Sequence, residues 1–327
     1  QLVSRARDAL EGEVCTVQQK KSRLLRERMA TEKGLWHPLC YDCVSARIFA
    51  EAGADLIAVS GYGISMSLLG LPDMGYVSLP ELLMVTRAVV DSVDVPVIAD
   101  ADTGFGNALN VLRTTREVIR TGAAAMLLED QLAPKRCGHL AGKQVIPVEE
   151  VLGKYRAAVE VRDELDPDFV IVARTDARGA VGGSLEEAIG RANAYLGVGA
   201  DVAFVEGIPS EEELRRVVKE VEGPVVYNMI GISPVVPLST LKEIGVSLVS
   251  VGNAQWVAAK AMWDFAHDMA RRGVEAQMDF YSGLEGHPLQ EFHEFARFPE
   301  MKALEERFLP AEQVERKYGD TLGYQPD

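Results

Sequence analysis

Four cysteines in 327 residues, at the irregular positions Cys15, Cys40, Cys43 and Cys137, form no disulfide framework. That scarcity fits a reducing, cytoplasmic setting. No apolar run approaches the roughly 20 residues of a membrane helix, and no signal-like apolar stretch precedes a small-residue cleavage site. Positive charge is also scarce: 34 Lys and Arg face 49 Asp and Glu, a net charge of −15. A body of that sign repels phosphate backbones and anionic bilayers, so neither nucleic acid nor membrane is expected as a partner. The glycines never fall as G-x-G-x-x-G after a strand, which removes the phosphate cradle of a dinucleotide fold. What is present is the make-up of a globular protein with a full core: 47% hydrophobic residues, 25% charged, mean hydropathy +0.01. The chain opens on Gln1 rather than Met, so a trimmed or processed start is expected.

Residues 1–35 stand apart. They hold eight Lys and Arg against five Asp and Glu, leaving 26 against 44 for the remainder. The stretch KKSRLLRERM has a helical period, and suits either a nucleic-acid- or partner-binding arm or a charged helix packed on the main domain or a neighbouring subunit. From residue 36 short β-branched runs alternate with helix-period segments. The predicted strands are 38–42, 56–60, 96–100, 125–130, 169–175, 202–206, 224–228 and 246–252. Ser78 with Glu81, Ser184 with Glu187 and Ser210 with Glu213 have capping-box spacing. The segments AGADLIAVSG, TGAAAMLLED, VGADVAFVEG and IGVSLVSVGN form a weak repeat, each a helix-ending glycine followed by a buried strand. Eight strand–helix units predict a parallel (β/α)8 barrel over 36–272, with an open doubly wound sheet as the other arrangement. Residues 273–327 read as a helical tail, with helices over 289–298, 301–308 and 311–318.

Barrel chemistry sits at the C-terminal ends of strands. Asp100 and Asp102, two apart in an extended segment, point the same way, and Glu129 ends the next strand. Three carboxylates without Cys or His nearby describe a hard-oxygen site for Mg2+, with Mn2+ as the substitute. The same aspartates also suit helix caps. Cys137 lies in Lys135-Arg136-Cys137-Gly138-His139, where two cations and His139 are expected to lower its pKa. It reads as an acid, base or nucleophile on a mobile lid, or as an inert surface thiol. Arg174 suits capture of a substrate carboxylate, or an ion pair with Glu206 or Asp176. Asn228 and Ser60 are placed to donate to a second carboxylate.

These residues carry a family signature. Tyr41-Asp42, Ser60-Gly61-Tyr62, Leu69-Gly70-Leu71-Pro72-Asp73, Asp100-Ala101-Asp102-Thr103-Gly104, Glu129-Asp130-Gln131, the 135–139 string and Ala173-Arg174-Thr175-Asp176-Ala177 occur in order. Over about residues 38–275 the chain resembles the isocitrate lyase/phosphoenolpyruvate mutase superfamily. Within it, the 2-methylisocitrate lyases and their dimethylmalate lyase and petal death protein relatives are nearest. The resemblance implies a (β/α)8 barrel whose last helix is swapped between subunits of a homo-oligomer, a dimer of swapped dimers. It also implies Mg2+ and a small 2-oxo or 2-hydroxy carboxylic acid as substrate. By position, Asp100 and Asp102 would hold Mg2+ directly or through water, and Asp73 and Glu129 its waters. Ser60, Gly61 and Tyr62 would cradle the pyruvoyl carboxylate together with Arg174, with Glu206 and Asn228 completing the substrate contacts. Cys137 would be the lid acid. The Cys-Gly-His lid belongs to the C–C lyases and to carboxyphosphoenolpyruvate mutase-like members, whereas other mutases carry Asn and Ser there. One segment departs from the pattern: relatives read Asn-Met-Ile-Glu-Gly-Gly or Asn-Ile-Thr-Glu-Phe-Gly, and this chain reads Asn228-Met229-Ile230-Gly231-Ile232-Ser233.

The expected reaction is a retro-aldol cleavage to pyruvate or glyoxylate and a second acid such as succinate. Tyr41 is the expected base, its phenol lowered by the cation. Cys137 is the expected proton donor, with Arg136, His139 and Asn228 holding the leaving carboxylate. Two other readings keep the same barrel: oxaloacetate hydrolysis, decarboxylation or P–C chemistry on the same metal site, and a ligand-binding barrel without catalysis.

Overall fold

The computed structural model describes residues 20–319 and 321–325. The expected charged arm falls partly outside that range, since residues 1–19 are not described. Its C-terminal part is the helix Lys21–Thr31. This helix belongs to the main body, because Leu25 and Met29 join the cluster that fills the barrel interior. At 1% exposure, Leu25 contributes about 2 kcal/mol by burial. Polar contacts fix its direction: Ser22 Oγ donates to Asp166 (2.8 Å), and Arg26 pairs with Asp201 (2.9 Å).

Eight parallel strands follow, β1 (Leu35–Cys40), β2 (Ile57–Val59), β3 (Val97–Asp100), β4 (Ala125–Glu129), β5 (Val170–Thr175), β6 (Val202–Val205), β7 (Val225–Asn228) and β8 (Leu248–Asn253). They pair in sequence order and close as β8 against β1, which selects the barrel over the open sheet. Strand β1 starts three residues before its expected position because Leu35, Trp36 and His37 complete the closure against Leu248, Val249 and Ser250. Pro38, which has no N–H to donate, sits where the register shifts, at a bulge. Ala58, Ile98, Ala125, Val172, Phe204 and Val226 point inward and pack the barrel, while two outer clusters join strands to helices.

Local signals behave as their chemistry dictates. Gly53, Gly122, Gly199 and Gly245, the glycines of the repeat, all take left-handed φ between 83° and 105°. The helix Ala108–Arg120, one of the helix-period segments, buries Val111 and Val118. At Ser78 the backbone N–H donates to Glu81 at 2.7 Å, completing the box. Ser184 and Ser210 each accept from the N–H three residues on, but Glu213 turns its side chain to Arg178 instead.

Compact packing divides the described residues into 20–259 and those from 260 onward, a division inside the helix Ala254–Arg272. The second unit contains the helices Val274–Ser282, Phe298–Phe308 and Ala311–Tyr318. The helix expected over 289–298 shrinks to the turn Phe292–Phe295, because Arg297 adopts φ 64° and Pro299 starts a new helix. No helix among the described residues is long and apolar enough to cross a membrane.

Candidate active site

A cavity of about 400 Å3 opens at the C-terminal ends of the strands. Ser60, Tyr62, Asp73, Asp100, Cys137, His139, Arg174, Glu206 and Asn228 all line it. Asp100 ends β3 and accepts from the backbone N–H of Gly61 at 3.1 Å. Asp102 lies just beyond at φ 47°, a left-handed conformation uncommon outside glycine. A side chain at Gly61 would meet Asp100 Oδ2 at 3.1 Å and Asp102 Oδ1 at 3.3 Å, so both aspartates converge over that glycine. Neither carboxylate caps the following helix, whose cap is Asn107.

Lys135 reaches into this cluster. Its Nζ lies 2.6 Å from Asp73 and 2.8 Å from Asp102, and all three residues are buried. Glu129, at the end of β4, meets Arg174 through Oε2 at 3.3 Å, while its Oε1 is buried without a hydrogen-bond partner. Burial pushes Asp102 up to about 7; Lys135 opposes the shift, and Asp100 and Asp73 add to it. Burial also raises Glu129 well above the carboxylate range, against the pull of Arg174 and Lys135. Among the described residues no three such side chains close around one point as a finished cage. The site is nonetheless short of positive charge, its donors are all hard oxygens, and Glu129 Oε1 has no partner. These properties fit a divalent cation, with the Lys135 ammonium now supplying part of the charge.

The lid is the excursion from β4 to Ile146, pinned at its base where Gln131 bridges Val145. Gln131 holds both the N–H and the carbonyl of Arg136, and Cys137 N–H donates to Asp73 O at 2.9 Å. Lys143 donates to the carbonyl of Gly138 and, at 3.0 Å, to Asp176, tying lid to barrel. The lid therefore stands closed, with Cys137 and His139 facing the cavity.

Three expectations change here. The Cys137 thiol is pushed up, not down: burial outweighs the backbone N–H of His139 and the charges of Arg174 and Lys135. Cys137 thus keeps its proton, which suits a donor and not a resting nucleophile. Tyr41 is not among the residues lining the cavity, and in the cation-free site burial with Asp42 and Cys40 raises its phenol. Arg136 is exposed and contributes its backbone rather than its guanidinium.

Arg174 makes the ion pairs anticipated for it, to Asp176 at 2.9 Å and Glu206 at 3.4 Å, with its guanidinium 5.2 Å from the Phe204 ring centre. Burial alone would raise Asp176, but Arg174 and Lys143 hold it below its ordinary value. Asn228 donates to Glu206 at 3.3 Å and leaves its Oδ1 unpartnered. Ser60 Oγ accepts from Gly63 N–H at 3.1 Å, so its own proton is free to turn toward a ligand. The roles of Lys135 and Lys143 were not legible as contacts, since their partners lie 62 and 33 residues away. Asp130, which accepts from Thr175, Tyr195 and the Asp176 N–H, was similarly hidden.

The family model for phosphoenolpyruvate phosphomutase matches residues 25–270. The 2,3-dimethylmalate lyase of Eubacterium barkeri is 42% identical over 243 residues, covering 73% of this chain and 83% of that protein. The chloroplastic carboxyvinyl-carboxyphosphonate phosphorylmutase of Arabidopsis thaliana is 44% identical over 253 residues, covering 75% and 74%. Among solved structures, a phosphonopyruvate hydrolase complexed with oxalate and Mg2+ superposes with a TM-score of 0.73 at 29% identity, covering 89% of this chain and all of that one.

Proposed function

The chain belongs to the phosphoenolpyruvate mutase/isocitrate lyase superfamily, and from that membership we propose that it is a Mg2+-dependent carbon–carbon lyase. Its substrate would be a 2-hydroxy di- or tricarboxylate of the methylisocitrate or dimethylmalate kind, cleaved to pyruvate or glyoxylate plus a second acid. The observation that carries this reading is that Cys137, on a lid tied to the barrel, lines the same cavity as Asp73 and Asp100, with burial raising its thiol.

Asp100 and Asp102 would hold the cation, with Asp73 and Glu129 beside them. When bound, it would supply Lewis-acid stabilisation of negative charge developing on the 2-oxygen of the substrate. The chain's own groups do the rest. Ser60 and the backbone at Gly61 and Tyr62 receive the pyruvoyl carboxylate, with Arg174 adding a guanidinium N–H. The hydroxyl passes its proton to a carboxylate oxygen of the cluster, with the unpartnered Oε1 of Glu129 the available acceptor. The C2–C3 bond breaks, and its electron pair passes onto the C3 fragment, stabilised by that fragment's own carboxylate. Cys137 delivers its S–H proton to C3, and His139 and Asn228 lie alongside to hold the leaving carboxylate. The lid excludes water, so the C3 carbanion meets the thiol and not solvent.

A second reading, P–C bond chemistry on the same site, is favoured by the 44% identity to the phosphorylmutase. Purified protein with Mg2+, incubated separately with methylisocitrate, dimethylmalate, oxaloacetate and phosphonopyruvate, separates the readings by product. Pyruvate from either of the first two supports the lyase; phosphate-containing products or oxalate alone would replace it.

Assembly belongs to the same proposal. Trp256, Val257, Met262 and Trp263 on the helix Ala254–Arg272 are more than half exposed, as an exchanged helix would be in an isolated chain.

A further inference from the structure

The loop after β7 departs from the family pattern at Gly231, and that residue lies beneath the lid. Gly231 takes φ 65°. A β-carbon there would overlap Nδ1 of His139 and lie 2.5 Å from its Cγ and 2.8 Å from its Cε1. The imidazole thus occupies the space that any side chain at 231 would need. The loop has little freedom to yield. Met229 N–H donates to Ser250 O (3.1 Å), Ser233 N–H to Ile230 O (3.2 Å), and Tyr227 OH to Pro234 O (2.7 Å). The lid is equally constrained one residue earlier. A β-carbon at Gly138 would overlap Nη2 of Arg174 and lie 2.8 Å from Cγ of Glu206.

We propose that Gly231 is a positioning residue that seats the lid: its missing side chain forms the notch into which His139 drops when the lid closes. The inference rests on the proposed active site only in that this lid covers it. Glycine at 231 is required twice, for its left-handed backbone and for the absent β-carbon, and the two requirements are separable. Backbone strain in an alanine variant is the same whatever residue stands at 139. The steric clash is present only with the imidazole.

The test is a double-mutant cycle on Gly231→Ala and His139→Ala, read as the rate at which iodoacetamide alkylates Cys137 in the ligand-free protein, followed by peptide mass. Alkylation reports the open fraction of the lid and requires no substrate, so a failure of the lyase reading leaves it intact. With His139 present, Gly231→Ala should accelerate alkylation at least ~10-fold, because the lid is held off its seat. With His139→Ala, the same substitution should change the rate by less than about 2-fold. Trypsin cleavage after the exposed Arg136 should follow the same pattern. Equal acceleration in both backgrounds would assign the effect to strain and overturn the proposal, as would no acceleration in either. Should Gly231→Ala fail to fold, a folded double variant supports the clash and an unfolded one refutes it. Where turnover is measurable, the single variant should lower kcat and the His139→Ala background should remove that increment.

Discussion

The ammonium of Lys135 lies 2.8 Å from Oδ1 of Asp102, so the lid itself carries a cation into the carboxylate cluster. Removing one partner of a buried ion pair leaves uncompensated charge, which costs about 3–5 kcal/mol. Lys135→Met should therefore lower Tm in chelator, and Mg2+ should recover more stability in the variant than in wild type. Thermal melts of both proteins, with EDTA and with Mg2+, measure this. Equal Mg2+ shifts, or none, would separate Lys135 from the cation site.

Cys137 is placed as the proton donor, and its thiol is raised by burial. Cys137→Ser should lower kcat by about 10²–10⁴ with a small change in KM, since a general acid acts in the transition state. The raised thiol also sets a sign on the pH profile. Through the thiol, activity should persist past neutrality and fall on the alkaline side, as the proton needed for transfer is lost. Steady-state kinetics across pH check both points, and an unchanged kcat would remove the cysteine from the reaction.

How much of this was readable beforehand depends on the distance over which each signal acts. The helix-ending glycines Gly53, Gly122, Gly199 and Gly245 were legible because a left-handed C-cap needs only its own residue and its neighbours. Strand ends were legible for the same reason, and in a barrel they place Asp100, Glu129, Arg174 and Asn228 at one mouth. Cys137 was misjudged because its sequence neighbours are not its surroundings: Arg136 faces solvent, while burial under the lid dominates the thiol. Lys135, Lys143 and Asp130 act through partners tens of residues away, which no local pattern records. Tyr41 was assigned by chemistry alone, and it is not among the residues that line the cavity.

His37 lies inside the barrel, with Nε2 3.2 Å from Ser250 Oγ and Nδ1 unpartnered. Burial pushes its pKa down to about 4. The unfolded chain, near 6.5, then binds the proton more readily than the folded one, so folding stability rises with pH between those values. The contribution is fully present above about pH 6.5 and lost as pH falls toward 4, amounting to roughly 3 kcal/mol. Urea denaturation of wild type and His37→Leu at pH 4.5 and 6.5 should give a shallower pH dependence in the variant. Identical slopes would contradict it.

Trp263 is 65% exposed and stacks on His267, with ring centres 4.1 Å apart. If another subunit covers this helix, light scattering should give wild type a mass that is a multiple of 35.6 kDa. Trp263→Glu should shift it toward the single-chain value. A wild-type protein at 35.6 kDa would end the swapped-helix proposal.

The central proposal is cleavage of a carbon–carbon bond at a divalent-cation site. Its most direct test is proton NMR of the purified protein with Mg2+ and either 2,3-dimethylmalate or 2-methylisocitrate. The account predicts stoichiometric pyruvate together with the second acid, abolished by EDTA and restored by added Mg2+. Neither substrate consumed, or cleavage indifferent to the chelator, would contradict it.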